Sequence, residues 1–312
     1  MRKEEFTYLS ADHKTQIHAV RYLPDTAPVG ILQITHGMVE HIGRYDGFAS
    51  FVCENGFVVT GQDHLGHGDS VTGREKWGHF GEAEHPSDLL VEDMQTLRKL
   101  TQEKYPELPY MMLGHSMGSY MLRKYLSVYG EGVSRAIIMG TGDVSQAASG
   151  FGLFLIRILT MVHGNTWRSK MVQQLTYNRF YKKFDLTGEH PENSWLTKDV
   201  DIVKEYYADP RCTFLFTLNG YQGLVEAARY DARMENIRKI PKGISILLAS
   251  GADDPVGDLS AGVERTFDKF RAAGLSVQRK LYPGDRHEIL NETDREQVWK
   301  DMLAFLQSGS LQ

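Results

Sequence analysis

Along most of the chain, short apolar runs rich in β-branched residues alternate with amphipathic helical patterns. "VGILQIT" (29–35), "GFVVTGQD" (56–63), "LPYMMLG" (108–114), "SRAIIMG" (134–140), "GISILLAS" (243–250) and "SVQRKLY" (276–282) read as strands. The first five are nearly continuous apolar runs, the pattern of parallel strands buried on both faces. Helical spacing fills 44–55, 87–104, 117–129, 260–273 and 294–307. Strand then helix, repeated, predicts an α/β fold with a mostly parallel central sheet flanked by helices.

The alternation stops between about Val144 and Leu218. No buried strand is visible there, and the stretch is too long for an ordinary loop. It is expected to be a helical insertion over one end of the sheet. The chain thus divides into a first core part (1–143), a helical cap (144–218) and a second core part (219–312). The most apolar run, "GFGLFLIRILTMVHG" (150–164), carries Arg157 and is too short to span a bilayer.

Composition narrows the picture without redirecting it. With 312 residues, 41% hydrophobic and 24% charged, the chain has ordinary globular usage. A formal net charge of −5 leaves no basic surplus for a nucleic-acid partner. Cys53 and Cys212 alone are too few for a disulfide framework or a cysteine zinc site. The opening "MRKEEFTYLS" lacks the apolar segment of a signal peptide, so a cytoplasmic protein is expected.

The chemistry centres on "MMLGHSMGSYM" (111–121). Here Ser116 sits in a G-x-S-x-G pattern between a predicted buried strand and a predicted helix. A bend of that kind forces the serine into an unfavourable backbone conformation, and glycine at 114 and 118 removes Cβ atoms that would collide. The strain leaves the hydroxyl exposed at the strand end. That hydroxyl needs a base, and in serine sites of this type the acid and the histidine follow in chain order. Of the 12 histidines only His163, His190 and His287 come after Ser116. The first two fall in the insertion, ahead of the good acid candidates. His287 follows the last predicted strand. Asp253 and Asp254 close the strand before it, and Asp254 is favoured because Pro255 stiffens its backbone. The acid would hold the imidazole in the right tautomer. Two backbone N–H groups are expected to face the developing oxyanion: that of Met117, after the serine, and that of Met38, after the "HG" at 36–37.

Taken together, these stretches resemble the monoacylglycerol lipase and lysophospholipase branch of the α/β-hydrolases. The resemblance is carried by "HGMVEHIGRYDGFASFVCENGFVVTGQDHLGHGDS", "GHSMGS", "SGADDPVGD" and "YPGDRHEILNE", which span the core from about Leu32 to His287. It implies an eight-stranded sheet with a helical cap, no cofactor, a Ser116–Asp254–His287 triad, and oxyanion donors at Met38 and Met117. His36, His41, His64 and His67 could suggest a metal, but no CxxC or HExxH spacing supports one. By the resemblance those segments shape the oxyanion loop.

The expected reaction is hydrolysis of a small acyl ester, a monoacylglycerol or lysophospholipid, through an acyl-enzyme on Ser116. Phe154, Leu155, Trp195 and Phe214, with Phe151, Ile158, Leu159 and Phe216, are available to line an acyl pocket, although most would simply pack cap against core. The 151–162 helix is a candidate for transient contact with a lipid surface. Alternatives are a short-chain or aromatic carboxylesterase, an aminopeptidase of the proline-iminopeptidase kind, and a non-catalytic ligand-binding protein.

Overall fold

The computed structural model describes residues 1–71, 73–177 and 179–311. Among them eight strands form one sheet: β1 (Arg2–Leu9), β2 (Gln16–Leu23), β3 (Gly30–Thr35), β4 (Phe57–Gln62), β5 (Tyr110–His115), β6 (Val133–Met139), β7 (Ser245–Gly251) and β8 (Ser276–Tyr282). Their order across the sheet is β1-β2-β4-β3-β5-β6-β7-β8. β1 and β2 run antiparallel to their neighbours, and β3 to β8 are parallel. The helices are α1 (Asp46–Glu54), α2 (Pro86–Gln102), α3 (Met117–Tyr129), α4 (Gln146–His163), α5 (Lys170–Thr176), α6 (Val200–Ala208), α7 (Leu218–Asp231), α8 (Met234–Ile237), α9 (Ala261–Ala272) and α10 (Arg295–Ser308).

The parallel strands follow the period of two. Leu32, Ile34, Met111, Leu113, Ile137, Met139, Leu247 and Ala249 face one core, beneath α1 and α10. Ile31, Tyr110, Met112, Ala136, Ile138, Ile246 and Leu248 face the other, beneath α2, α3 and α9. Both faces are covered, as a parallel sheet requires.

The six strands expected from the pattern are all present. β1 and β2, which complete the eight strands that the resemblance implies, are not legible in the hydrophobic pattern. β1 is an edge strand with Lys3, Glu5 and Thr7 exposed on one face, while the other carries Arg2 and Glu4 before Phe6 and Tyr8, so neither face reads as apolar throughout. β2 is buried on both faces but includes Arg21, which stacks over the Phe6 ring at 4.7 Å and lies 3.7 Å from Glu4. A buried arginine breaks an apolar run in sequence, and only the strand pairing brings it beside Glu4 and Phe6.

The segment 144–218 contributes no strand to the sheet and carries α4 to α6. It is fastened to the loop after β8. The Glu288 N–H donates to the Leu196 carbonyl (2.7 Å), and Lys198 Nζ donates to Asp285 Oδ1 (2.6 Å). α4 corrects one expectation. It begins four residues before the apolar run and reaches 18 residues, long and apolar enough by composition to cross a membrane. Its Ser149 and Ile156 are buried, and Arg229 of α7 donates to Ser149 Oγ (3.2 Å).

Candidate active site

Four loops meet at the carboxyl ends of the strands. Gly37 follows β3, Ser116 follows β5, Asp254 follows β7 and His287 follows β8. Because β3 and β5 are direct neighbours, Gly37 and Ser116 are forced close together. A Cβ on Gly37 would lie 3.0 Å from Ser116 Cβ.

Ser116 adopts φ 53°, ψ −120°, a conformation non-glycine residues rarely hold, at a cost of about 1–3 kcal/mol. Its surroundings enforce the bend. The Ser116 N–H donates to the Met139 carbonyl (3.0 Å), and the Ser119 N–H donates back to the Ser116 carbonyl (2.9 Å). A Cβ at Gly114 would strike the Gly118 carbonyl, and one at Gly118 would strike the carbonyls of Thr35 and His36. Met117 opens α3, where the helix supplies no acceptor for its N–H.

His287 Nδ1 donates to Asp254 Oδ2 at 3.0 Å, and both side chains are buried. The carboxylate is held from two more directions, by the Val256 N–H (2.8 Å) and Ser250 Oγ (3.2 Å). Asp253 is exposed beside it. His287 Nε2 is buried and makes no hydrogen bond to a described residue. The Trp195 indole stacks on the His287 ring at 5.0 Å, followed by Tyr181 (5.4 Å from Trp195) and Tyr177 (4.9 Å from Tyr181).

Beneath these loops lies a buried charged network that the site expectations did not include. Arg44 donates to both Glu288 oxygens (2.7 Å each) and to Glu40 Oε2 (2.9 Å). Glu40 Oε1 accepts from Tyr45 (2.8 Å) and from the Gly37 N–H, and lies 3.2 Å from His115 Nδ1. His115 Nε2 faces the His287 carbonyl (3.2 Å). Burial pushes the Glu40 pKa up, but the His115 hydrogen bond and the Arg44 charge outweigh it and hold the carboxyl well below its usual range. Burial likewise opposes ionisation of Glu288, and Arg44 overcomes it. Burial would lower the His115 pKa, yet the Glu40 carboxylate raises it. Glu40, Arg44 and Glu288 all stand inside the stretches that carried the family resemblance, which is the signal that could have found them. A cavity of about 260 Å³ adjoins this network, lined in part by Arg44, Asn291, Arg295 and Trp299.

The pocket candidates scatter. Trp195 reaches His287. Phe214 stacks on Trp77 (5.5 Å) and Phe216 (5.9 Å) and meets His67 edge-on. Leu155 is half-buried, whereas Phe154 is 61% exposed on the outer face of α4. The four histidines do not converge. His36, His64 and His67 pack ring against ring, 4.5 Å between His36 and His64 and 5.1 Å between His36 and His67. His41 lies apart, 3.1 Å from Asp209 and near Cys212. These three could offer ligand atoms, but Asp209 already carries the Arg211 guanidinium (2.8 Å).

A serine on a strained bend after β5 and a histidine–aspartate pair on the loops after β7 and β8, all at the carboxyl end of a mostly parallel eight-stranded sheet, are the arrangement of the α/β-hydrolase class. Within it, the chain belongs to the family described as serine aminopeptidase, S33, whose model matches residues 26–294. Over 294 residues it is 27% identical to a monoacylglycerol lipase of Mycolicibacterium smegmatis (92% of this chain, 91% of that protein). It is 34% identical over 277 residues to the monoglyceride lipase of Mus musculus (86% and 78%). Among solved structures it is similar to a thermostable carboxyl esterase of Bacillus coagulans in complex with glycerol, with TM-score 0.90, 31% identity and 98% of each chain covered. The chain is a monoacylglycerol-lipase-like carboxylic ester hydrolase.

Proposed function

We propose that the chain hydrolyses monoacylglycerols or lysophospholipids through an acyl-enzyme on Ser116. The observation that carries this is the strained Ser116 bend together with the 3.0 Å His287–Asp254 pair, all at the carboxyl ends of the strands. Ser116 Oγ attacks the ester carbonyl while His287 Nε2 takes its proton. The N–H groups of Met38 and Met117 receive the oxyanion. The alcohol leaves with the proton from His287, and water then releases the fatty acid by the reverse assignment. Asp254 keeps the imidazole proton on Nδ1 throughout. The 144–218 segment acts as the cap, with Trp195 and Leu155 toward the acyl chain. The lipid relatives and the apolar cap favour this substrate class.

The cap is also the part that meets lipid. Phe151, Phe154, Met161 and Val162 are exposed on α4, and Met171 and Leu175 on α5. Such a patch suits transient contact with a membrane or micelle that holds the substrate. The free, buried Cys53 and Cys212 are consistent with a reducing, cytoplasmic setting.

The similarity to a carboxyl esterase favours a second reading, a short-chain esterase. Turnover of p-nitrophenyl esters from acetate to palmitate, of a monoacylglycerol and of a lysophospholipid separates the two, with Ser116→Ala as control. Turnover that needs Ser116 and peaks at medium or long chains supports the lipase reading, and a peak at acetate supports the esterase. Turnover undiminished in Ser116→Ala overturns both. Amino-acid amides in the same panel test the aminopeptidase alternative.

A further inference from the structure

Gly37 is held beside Ser116 through both of its backbone polar groups, the N–H of the peptide before it and the carbonyl of the peptide after it. On one side the Gly37 N–H donates to Glu40 Oε1. On the other the Gly37 carbonyl lies 2.8 Å from His36 Nδ1. A carbonyl oxygen only accepts, so Nδ1 must carry the proton. At the far side of the ring, Nε2 lies 3.0 Å from the His64 backbone N–H. A backbone N–H only donates, so Nε2 must be bare. The two contacts together permit one state of the imidazole, neutral with hydrogen on Nδ1. The ring is fully enclosed, packed against His64 and His67. Burial also lowers its pKa, in agreement with a neutral ring.

In a trans peptide the C=O and the following N–H point in opposite directions. Fixing the Gly37 carbonyl toward His36 therefore fixes where the Met38 N–H points. We propose that His36 is a positioning residue: its Nδ1–H orients the Gly37–Met38 peptide and so holds the Met38 N–H toward the oxyanion that forms at Ser116. This rests on the assignment of Met38 as an oxyanion donor. His64 enters through its backbone N–H, by selecting the tautomer. A peptide unit in a turn rotates readily, and the Met38 N–H stabilises the transition state only while the unit is held.

Two substitutions separate positioning from structure. In His36→Asn the amide N–H falls near the place of Nδ1 and keeps the bond to the Gly37 carbonyl, but the His64 N–H is left unpaired. In His36→Gln the amide reaches the place of Nε2 and keeps the His64 bond, but the Gly37 carbonyl is released. Stability should follow the buried His64 N–H, so His36→Gln is the more stable variant. Activity should follow the opposite order. His36→Gln is expected to lose about 100- to 1,000-fold in kcat with KM little changed, as for a lost oxyanion donor, and His36→Asn to stay within about tenfold of the parent. Affinity for an alkyl boronic acid should weaken in parallel with kcat.

Activity that tracks stability, or a loss confined to KM, overturns the proposal. So does parental kcat in a folded His36→Gln. Should neither variant fold, ¹⁵N-histidine NMR of the parent protein decides, and a His36 proton on Nε2 overturns it. Failure of the underlying readings is distinguishable: turnover independent of Ser116 removes the serine mechanism, and parental kcat in Met38→Pro, which lacks the N–H, removes Met38 as a donor.

Discussion

Arg44 grips Glu288 with two hydrogen bonds of 2.7 Å and reaches Glu40 with a third contact at 2.9 Å. One guanidinium thereby joins the loop that holds Gly37 to the residue next to His287. Replacing Arg44 with Met strands two buried carboxylates and should destabilise by about 3–5 kcal/mol. Arg44→Lys keeps the charge but not the bidentate fork, and should lose a smaller share. Urea unfolding of the two variants checks the order. Equal stability of Arg44→Met and parent would show that the network contributes nothing.

Trp195 covers His287 at 5.0 Å, and the His287 N–H approaches the Trp195 carbonyl at 3.4 Å. Stacking of this kind is worth about 0.5–1.5 kcal/mol beyond burial, or up to about tenfold in a rate or binding constant. Trp195→Phe should retain most of kcat/KM. Trp195→Ala should lose several-fold, more on long acyl esters than on acetate. A uniform loss across chain lengths would place Trp195 on the histidine alone and not on the substrate.

Burial drives the His67 pKa down to about 3, and lowers His64 well below its usual 6.5. In the unfolded chain both take up protons near 6.5. Between those limits the unfolded state binds more protons, so stability is intact above about pH 6.5 and falls as the pH drops toward 3. Each histidine contributes a slope of about 1.4 kcal/mol per pH unit. Thermal unfolding from pH 7 to pH 4 should show this loss, and His67→Phe should flatten it. An unchanged slope in that variant would count against a buried neutral His67.

Gly118 has no room for a side chain, because a Cβ would meet the carbonyls of Thr35 and His36. Gly118→Ala must push α3 away from β3, at a cost of about 3 kcal/mol, and displace the Met117 N–H as it does so. Loss of both thermal stability and kcat is expected. A variant with parental kcat would remove Met117 from the oxyanion site.

Met161 and Val162 are 79% and 69% exposed near the end of α4. Converting both to Glu should abolish co-sedimentation with phosphatidylcholine vesicles and slow turnover of vesicle-bound monoacylglycerol. Hydrolysis of soluble p-nitrophenyl acetate should be unaffected. Retained vesicle binding would sink the lipid-contact reading of this face.

The sequence by itself determined the sheet core and named the candidate positions for the chemistry. Buried parallel strands must be apolar on both faces, so β3 to β7 announce themselves, and a tight bend around Ser116 demands glycine at 114 and 118. Chain order then singled out His287, and Pro255 favoured Asp254. The tertiary structure alone decided the rest. The β1–β2 edge was hidden because its charges become tolerable only on an exposed edge or, for Arg21, beside Glu4 and Phe6. Whether a cap residue faces a pocket depends on how α4 docks, and Phe154 turned outward while Trp195 reached His287. The Glu40–Arg44–Glu288 network joins residues up to 248 positions apart (40 to 288). Local periodicity says nothing about which distant charges are buried together, and only the folded sheet brings their loops to one edge.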